Sequence, residues 1–346
     1  GQGFMANLSN EFAIPLKVVT ARCQHLKASF KGIFNKIESK AIKYKNDDKK
    51  ISSLVTWDDW IYAGLDCYAP DWQKGLNVGD AIPDHLINNL PCPTGELVTL
   101  GSWMLTKNIY RFENEVATEL TKSKFEGNLP NFLINVPELC IYVQTDNFDL
   151  HFQQSKIYGV IFTLTELCYQ KVLVSTIFLD TGLTRTIVLL VNEEKAIEDC
   201  LSDFIDEFHD DRSILDENEI DQYQSLQKQL INILLWFSLS KPDYVPLLPD
   251  NHKERVGVQT VKRVPRLFEA QKYKPFIAGK EMSKQIKAVN DQLTEYSKQS
   301  SKVHRRPHLR RAHYHLYWYG AKGSYERYDF KWIPITLVGG TIKNMD

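Results

Sequence analysis

Between Ile14 and Tyr44, Leu16, Val19, Cys23, Leu26, Phe30, Ile33, Phe34 and Ile37 recur at three- and four-residue steps, with lysines on the opposite side. That period is helical, so the stretch predicts an amphipathic helix with one buried stripe. Thr56 precedes WDDWIYAGLDCY, and a Thr-x-x-Asp start predicts a short capped helix there. Tyr68–Asp84, with its Pro, Gly and Asn residues, reads as loop plus the start of another helix, and Gly95–Phe112 as helix. The pattern changes near Leu129. Asn131–Val143 holds a Pro-Glu turn and then a β-rich run. Tyr158–Leu167, Lys171–Leu179 and Thr184–Val191 follow as three strands rich in Ile, Val, Thr, Phe and Tyr. Their short polar links, such as Asp180-Thr181-Gly182, imply antiparallel neighbours.

Downstream, Glu193–Asp221 contains a helical apolar stripe (Ile197, Leu201, Phe204, Ile205, Phe208). Glu217–Leu239 reads as a helix whose apolar end is buried, stopped by Pro242 and Pro246. Lys241–Pro275 reads as a surface loop, Lys280–Ser297 as a helix and Gln299–Arg306 as a linker. Leu309–Tyr319 and Tyr325–Ile333 form an expected hairpin around AKGS. The fold class expected is α+β: a helical N-terminal region, then an antiparallel sheet flanked by helices, closed by a C-terminal β-hairpin. Residues 5–128 form the helical region and 129–346 the α+β region, with Gly1–Phe4, ahead of Met5, set aside as an appended remnant.

The chain has 346 residues, 43% hydrophobic and 25% charged, enough apolar content for a substantial core. No apolar run spans a bilayer; Ile231–Leu239 is far too short. The start lacks a basic segment followed by an apolar leader. Six cysteines, Cys23, Cys67, Cys92, Cys140, Cys168 and Cys200, include no CxxC pair and read mostly as reduced core residues. The net charge of −1 conceals segregation. Lys17–Lys50 holds ten Lys/Arg against three acids. Glu193–Asp221 holds thirteen acids against two basic residues, and His252–Asp346 twenty Lys/Arg against eight acids. Such asymmetry informs on partners rather than fold.

The densest chemistry lies in Arg305–Gly320, RRPHLRRAHYHLYWYG. As a strand, Leu309–Tyr319 would place Leu309, Arg311, His313, His315, Tyr317 and Tyr319 on one face. Arg310, Ala312, Tyr314, Leu316 and Trp318 would share the other, more apolar one. Four roles fit these residue types. The Arg and His side chains can lock the sheet through hydrogen bonds. Arg and Lys can neutralise phosphates while Tyr and Trp stack on bases. The His-x-His pair can ligate a metal, or His308, His313 and His315 can act as acid and base in a nuclease. No acidic partner is fixed nearby by spacing, and the chain lacks GxxxxGK[ST], GxGxxG after a strand, HExxH and GxSxG. No catalytic residue, metal ligand or cofactor is therefore assigned. The binding candidates are Arg306, Arg310, Arg311, His313, His315, Tyr317, Trp318, Lys331 and Trp332.

This segment also resembles the C-terminal signature of the type V-A anti-CRISPR family that lowers production of the type V-A effector nuclease. The family pattern falls on Arg306, Pro307, His308, Arg310, Arg311, His313, Tyr314, His315, Tyr317, Trp318 and Gly320, then Lys331, Trp332 and Pro334. Tyr314 stands where the family usually has Trp. NFLINVPELCIYV, with Leu139 replacing a Trp, and LLWFSLSKPDY are similar to two further family blocks. The resemblance covers about 129–338; the first hundred-odd residues match weakly. It implies a regulator from a phage or other mobile element, acting in the cytoplasm of a bacterial host. The implied partner is the N-terminal peptide of the effector nuclease as it emerges from the ribosome, with decay of the message following and with ribosome or mRNA as further contacts. No membrane partner is expected, because no apolar run is long enough to span a bilayer. A Lys- or Arg-bearing peptide could meet the Glu193–Asp221 block or add to a sheet edge.

Overall fold

A computed structural model describes residues 10–41, 55–125, 128–210, 217–248, 257–298 and 307–339. Arg306, the linker expected at Gln299–Arg306 and the turn expected at Asn46–Lys50 lie outside the described residues, as do the side chains of Phe204, Ile205 and Phe208. Among the described residues no helix is long and apolar enough to cross a membrane.

The first amphipathic stretch forms two helices, α1 (Asn10–Ser29) and α2 (Ile33–Ala41), rather than one. The break falls at Gly32, whose φ of +80° suits a residue without a Cβ. The predicted stripe is buried on both sides of the break, from Leu16 through Phe30 to Ile37. Helix α3 (Trp57–Tyr68) starts with a capping box: Thr56 Oγ1 accepts from Asp59 N, and the Asp59 carboxylate accepts from Thr56 N. Helices α4 (Asp84–Asn88) and α5 (Thr94–Met104) follow.

The helix expected over Gly95–Phe112 ends at Met104, and strand β1 (Asn108–Phe112) takes its second half. Lys107, at φ +49°, turns the chain, and Trp103 Nε1 donates to Asn108 O at 2.8 Å. The run NIYRF is buried at every position and has a strand neighbour on each side. A strand covered on both faces shows no alternation, so periodicity alone does not separate it from a helix. Helix α6 (Asn114–Leu120) and the short β2 (Lys124–Phe125) come next.

The main sheet comprises β1, β3 (Cys140–Gln144), β5 (Ser155–Leu167), β6 (Gln170–Leu179), β7 (Thr184–Leu190), β8 (Tyr244–Pro246) and β11 (Lys274–Ala278). Their order is β7-β6-β5-β3-β1-β11-β8, with β4 (His151–Phe152) paired to β5. The expected antiparallel strands β5, β6 and β7 form. The two pairs involving β1 are parallel. β1 thus joins the N-terminal region to the rest of the chain at the middle of the sheet. Lys241–Pro275, expected as loop, instead contains β8, a hairpin of β9 (Gly257–Val261) and β10 (Val264–Phe268), and the start of β11.

Two cores flank the sheet. Helices α1, α2, α3 and α5 cover one face over Cys140, Tyr142, Ile161 and Phe178. Helices α6, α7 (Ile197–Asp210), α8 (Glu217–Leu235) and α9 (Lys280–Lys298) cover the other over Ile141, Val143, Phe162 and Ile177. β3 supplies alternate residues to each core, as a pleated strand must. The remaining strands, β12 (His308–Arg310), β13 (His313–Ala321), β14 (Ser324–Ile333) and β15 (Thr336–Val338), pack beside the second core.

Candidate functional site

The strand expected from Leu309 to Tyr319 is split at Arg311–Ala312. β12 pairs with β15, while β13 pairs antiparallel with β14 and, at its start, parallel with β2. Residues opposite one another across β13 and β14 share a face. Tyr314, Leu316 and Trp318 face the same side as Trp332, Phe330 and Tyr328. His313, His315, Tyr317 and Tyr319 face the other with Ile333, Lys331, Asp329 and Arg327.

The root of the first face is locked into the core. Tyr314 is fully buried, donates its hydroxyl to Asn232 O and stacks on Phe330 at 5.4 Å. Burial alone pushes the Tyr314 phenol well above its ordinary range. Trp332 is also buried, packs on Trp236 and donates Nε1 to Ser123 Oγ at 2.8 Å. Asn232 Nδ2 donates to Thr121 O and Ser123 O, so the same helix secures β2 and β13. Tyr314 thus holds the hairpin against α8, and Trp332 holds it against Trp236, just beyond that helix, and Ser123, just ahead of β2.

The second face is a row of aromatic and charged side chains. His315 and Tyr317 rings lie 4.1 Å apart, Lys331 Nζ sits 5.5 Å from the Tyr317 ring and 3.2 Å from Asp329, and Arg327 lies 4.9 Å over Tyr319. The Asp329 hydrogen bond raises the Lys331 pKa, with its charge adding to the effect. His313 is buried, with Nδ1 3.2 Å from Arg311 O. His308, Arg310 and Arg311 are exposed, the first two on β12. The nuclease trio His308, His313 and His315 is therefore divided between strands. Among the described residues no three His, Cys, Asp or Glu side chains gather as a metal set.

Beyond Leu316 the hairpin leaves the body. Every residue from Trp318 to Tyr328 is exposed, on both faces. This arm carries four aromatics, Trp318 (43% exposed), Tyr319 (40%), Tyr325 (55%) and Tyr328 (43%), with Phe132 (43%) beside it. Trp318 packs 5.3 Å from Tyr325 and 5.8 Å from Tyr328, and Phe132 lies 5.2 Å from Tyr328. Sequence reasoning selected Trp318 and missed Phe132, Tyr325, Arg327 and Tyr328. The Tyr-x-x-Tyr spacing of β14 is the signal that could have found two of them.

The three sequence blocks converge here. Ser238 Oγ donates to Leu133 O at 2.7 Å, Phe330 N donates to Ser240 Oγ at 2.8 Å, and Trp236 meets Trp332. Asp243, from the same block, caps α9 by accepting from Glu281 N (3.3 Å) and Met282 N (3.1 Å).

A second surface lies at the far edge of the sheet. Among the described residues β7 pairs only with β6. Leu179 N donates to Leu183 O and Val191 N to Lys171 O, both at 2.9 Å, which turns the odd-numbered backbone groups inward. By alternation, Thr184, Thr186, Val188 and Leu190 direct N–H and C=O outward. Helix α7 packs on β7, and Glu193, Glu194, Glu198 and Asp199 beside it are exposed. The opposite edge differs: Leu247 N bonds Pro275 O, so Pro246 faces outward and offers no N–H. A polar cleft of about 390 Å³, lined by Thr118, Lys122, Asp146, Asp149, His151 and Lys156 among others, sits beyond the carboxyl ends of β1 and β3. Its Asp146 is already paired with Arg111 at 2.8 Å.

Residues 110–340 match the AcrVA2-like family, described as the anti-CRISPR type V subtype A2 family. Among solved structures the chain is similar to one titled "Crystal structure of AcrVA2", with a TM-score of 0.61 and 16% identity. The alignment covers 93% of this chain and 99% of that one. At this identity the likeness establishes a common fold. No curated protein matches the chain.

Proposed function

Because the chain belongs to the AcrVA2-like anti-CRISPR type V subtype A2 family, we propose that it recognises the N-terminal segment of the type V-A effector nuclease during translation and brings about loss of the effector's mRNA in the host cytoplasm. The observation that carries this reading is the open β7 edge beside an acid-dense helix. An extended peptide added to β7 would gain main-chain hydrogen bonds from Thr184, Thr186, Val188 and Leu190. Basic side chains on that peptide would meet Glu193, Glu194, Glu198 and Asp199. These carboxylates are exposed, so their contribution is to encounter rate and salt-sensitive selectivity. A nascent chain suits such a dock because it is extended and has not yet buried its backbone groups.

The test is titration of a synthetic peptide spanning the effector's N-terminal segment into the purified protein. Micromolar or tighter binding is expected, weakened by added salt. Val188→Pro removes an outward N–H and leaves the inward ladder to β6 intact, so it should weaken binding at least about tenfold. A wild-type protein that binds this peptide no better than a scrambled one would overturn the reading. Peptide binding unchanged by Val188→Pro would move the dock away from β7.

A further inference from the structure

We propose that the projecting arm, Trp318–Tyr328, is a stacking platform for single-stranded nucleic acid. The inference stands apart from the peptide reading, because the arm and the β7 edge belong to different sheets.

The arm is costly to maintain without a partner. A two-stranded ribbon exposed on both faces is marginal in water, and this one displays Trp318, Tyr319, Tyr325 and Tyr328 to solvent. Part of their role is mutual bracing across the strands. Ring contacts of 5.3–5.8 Å hold Trp318 against Tyr325 and Tyr328, and Phe132 supports Tyr328 from the body. Bracing leaves each ring partly uncovered in a restricted orientation, so little side-chain entropy remains to be lost on stacking.

The charge selects the class of partner. Across β12–β15 the Lys and Arg residues are Arg310, Arg311, Lys322, Arg327 and Lys331, and the acids are Glu326 and Asp329. Among the described residues neither Arg311 nor Lys322 has a carboxylate partner. Arg327 already lies over Tyr319 as a stacked cation. Cations interleaved with open rings match phosphates interleaved with bases. Every residue of the arm is exposed, so its rings and charges stand in solvent and none of its side chains forms a buried slot for an apolar side chain, which disfavours a peptide. Bases in a duplex are already stacked on each other, which disfavours double strands.

Fluorescence anisotropy with a labelled oligouridylate tests this. Binding is expected to weaken steeply as salt rises, and Arg327→Glu and Lys322→Glu should flatten that slope. Trp318→Ala and Tyr325→Ala should each weaken binding about tenfold, while Trp318→Phe and Tyr325→Phe should retain most of it. An oligodeoxyuridylate of equal length separates the two sources of the ligand: equal affinity indicates recognition by stacking and charge alone, and tighter RNA binding adds a contact to the ribose 2′-hydroxyl. If an alanine variant disorders the arm, photocrosslinking of the wild-type protein to a thiouridine oligonucleotide replaces it, with crosslinks expected within Tyr317–Tyr328. No binding at low salt, alanine variants as tight as wild type, a preference for duplex, crosslinks confined elsewhere, or an acidic peptide bound at the arm in place of RNA would each overturn the proposal. None of these measurements involves the effector peptide, so failure here leaves the peptide reading standing, and the converse holds.

Discussion

Asp243 does the work of several residues. Its carboxylate accepts two N–H groups at the start of α9, while its carbonyl accepts Gly279 N at 2.8 Å and Trp236 Nε1 at 3.3 Å. Asp243→Ala should lower stability by about 1–2 kcal/mol in urea unfolding, and Asp243→Asn should restore most of it, because Asn caps nearly as well. Glu96 is buried and held by a bidentate Arg22 at 2.6 and 2.8 Å. Arg22→Met leaves that carboxylate without its cation and should cost about 3 kcal/mol, the low end for a broken buried pair since Arg22 is partly exposed. The cysteines divide by burial: Cys23 and Cys92 thiols are pushed up to about 12, chiefly by desolvation. In the folded protein they keep their protons above the ordinary value of 9.0, whereas the unfolded chain loses them. Stability should therefore fall as pH rises from about 9 towards 12. A thiolate-selective reagent near neutral pH should label exposed Cys168 first and leave Cys23, Cys92, Cys140 and Cys200 until unfolding, as mass spectrometry would read.

At the scale of elements, the hairpin changes character along its length. Its root, with Tyr314, Phe330 and Trp332, belongs to the core, and its tip does not. A bulge between Tyr319 and Gly320 separates the regular ladder from the turn. Gly320 has φ +121°, and a Cβ there would lie 2.9 Å from Ser324 O and 3.0 Å from Glu326 N. Gly320→Ala should therefore raise hydrogen exchange across Trp318–Tyr328 while leaving the main unfolding transition nearly unchanged, since the tip buries little. Gly279 offers the contrast. It has φ +86°, with Val116 2.8 Å from an added Cβ, and it joins β11 to α9 against the core. Gly279→Ala should lower the global transition itself. Alternation along the signature segment gave the hairpin faces correctly at Tyr314, Leu316 and Trp318. It did not foresee the break at Arg311–Ala312, because β12 leaves to pair with β15, a strand twenty-six residues on from Arg310 at Thr336.

At the scale of the molecule, β1 binds the regions together. It is paired on both sides, and Cys140, Tyr142, Ile161 and Phe178 from beyond residue 129 complete the core of the N-terminal helices. Residues 5–128 expressed alone should therefore fail to give a cooperative melt by circular dichroism, and the full chain should unfold in one transition. The local patterns legible in the chain are those where neighbours in sequence decide the outcome: the stripe of α1 and α2, the Thr56 cap, the strands β5 to β7 with their short links, and the aromatic–basic character of the hairpin. Side-chain period and capping act within a few residues, so the sequence by itself determines them, and its signature blocks determined the family. Tertiary structure alone decided that NIYRF is a doubly covered strand, that Lys241–Pro275 contributes β8 and the start of β11, and that Phe132 stands beside Trp318 and Tyr328. It also decided that Trp332 and Tyr314 are spent on packing while Trp318 and Tyr325 are left open. Each of these depends on a partner far along the chain, and hydrophobic pattern records that a residue can be buried without recording what covers it.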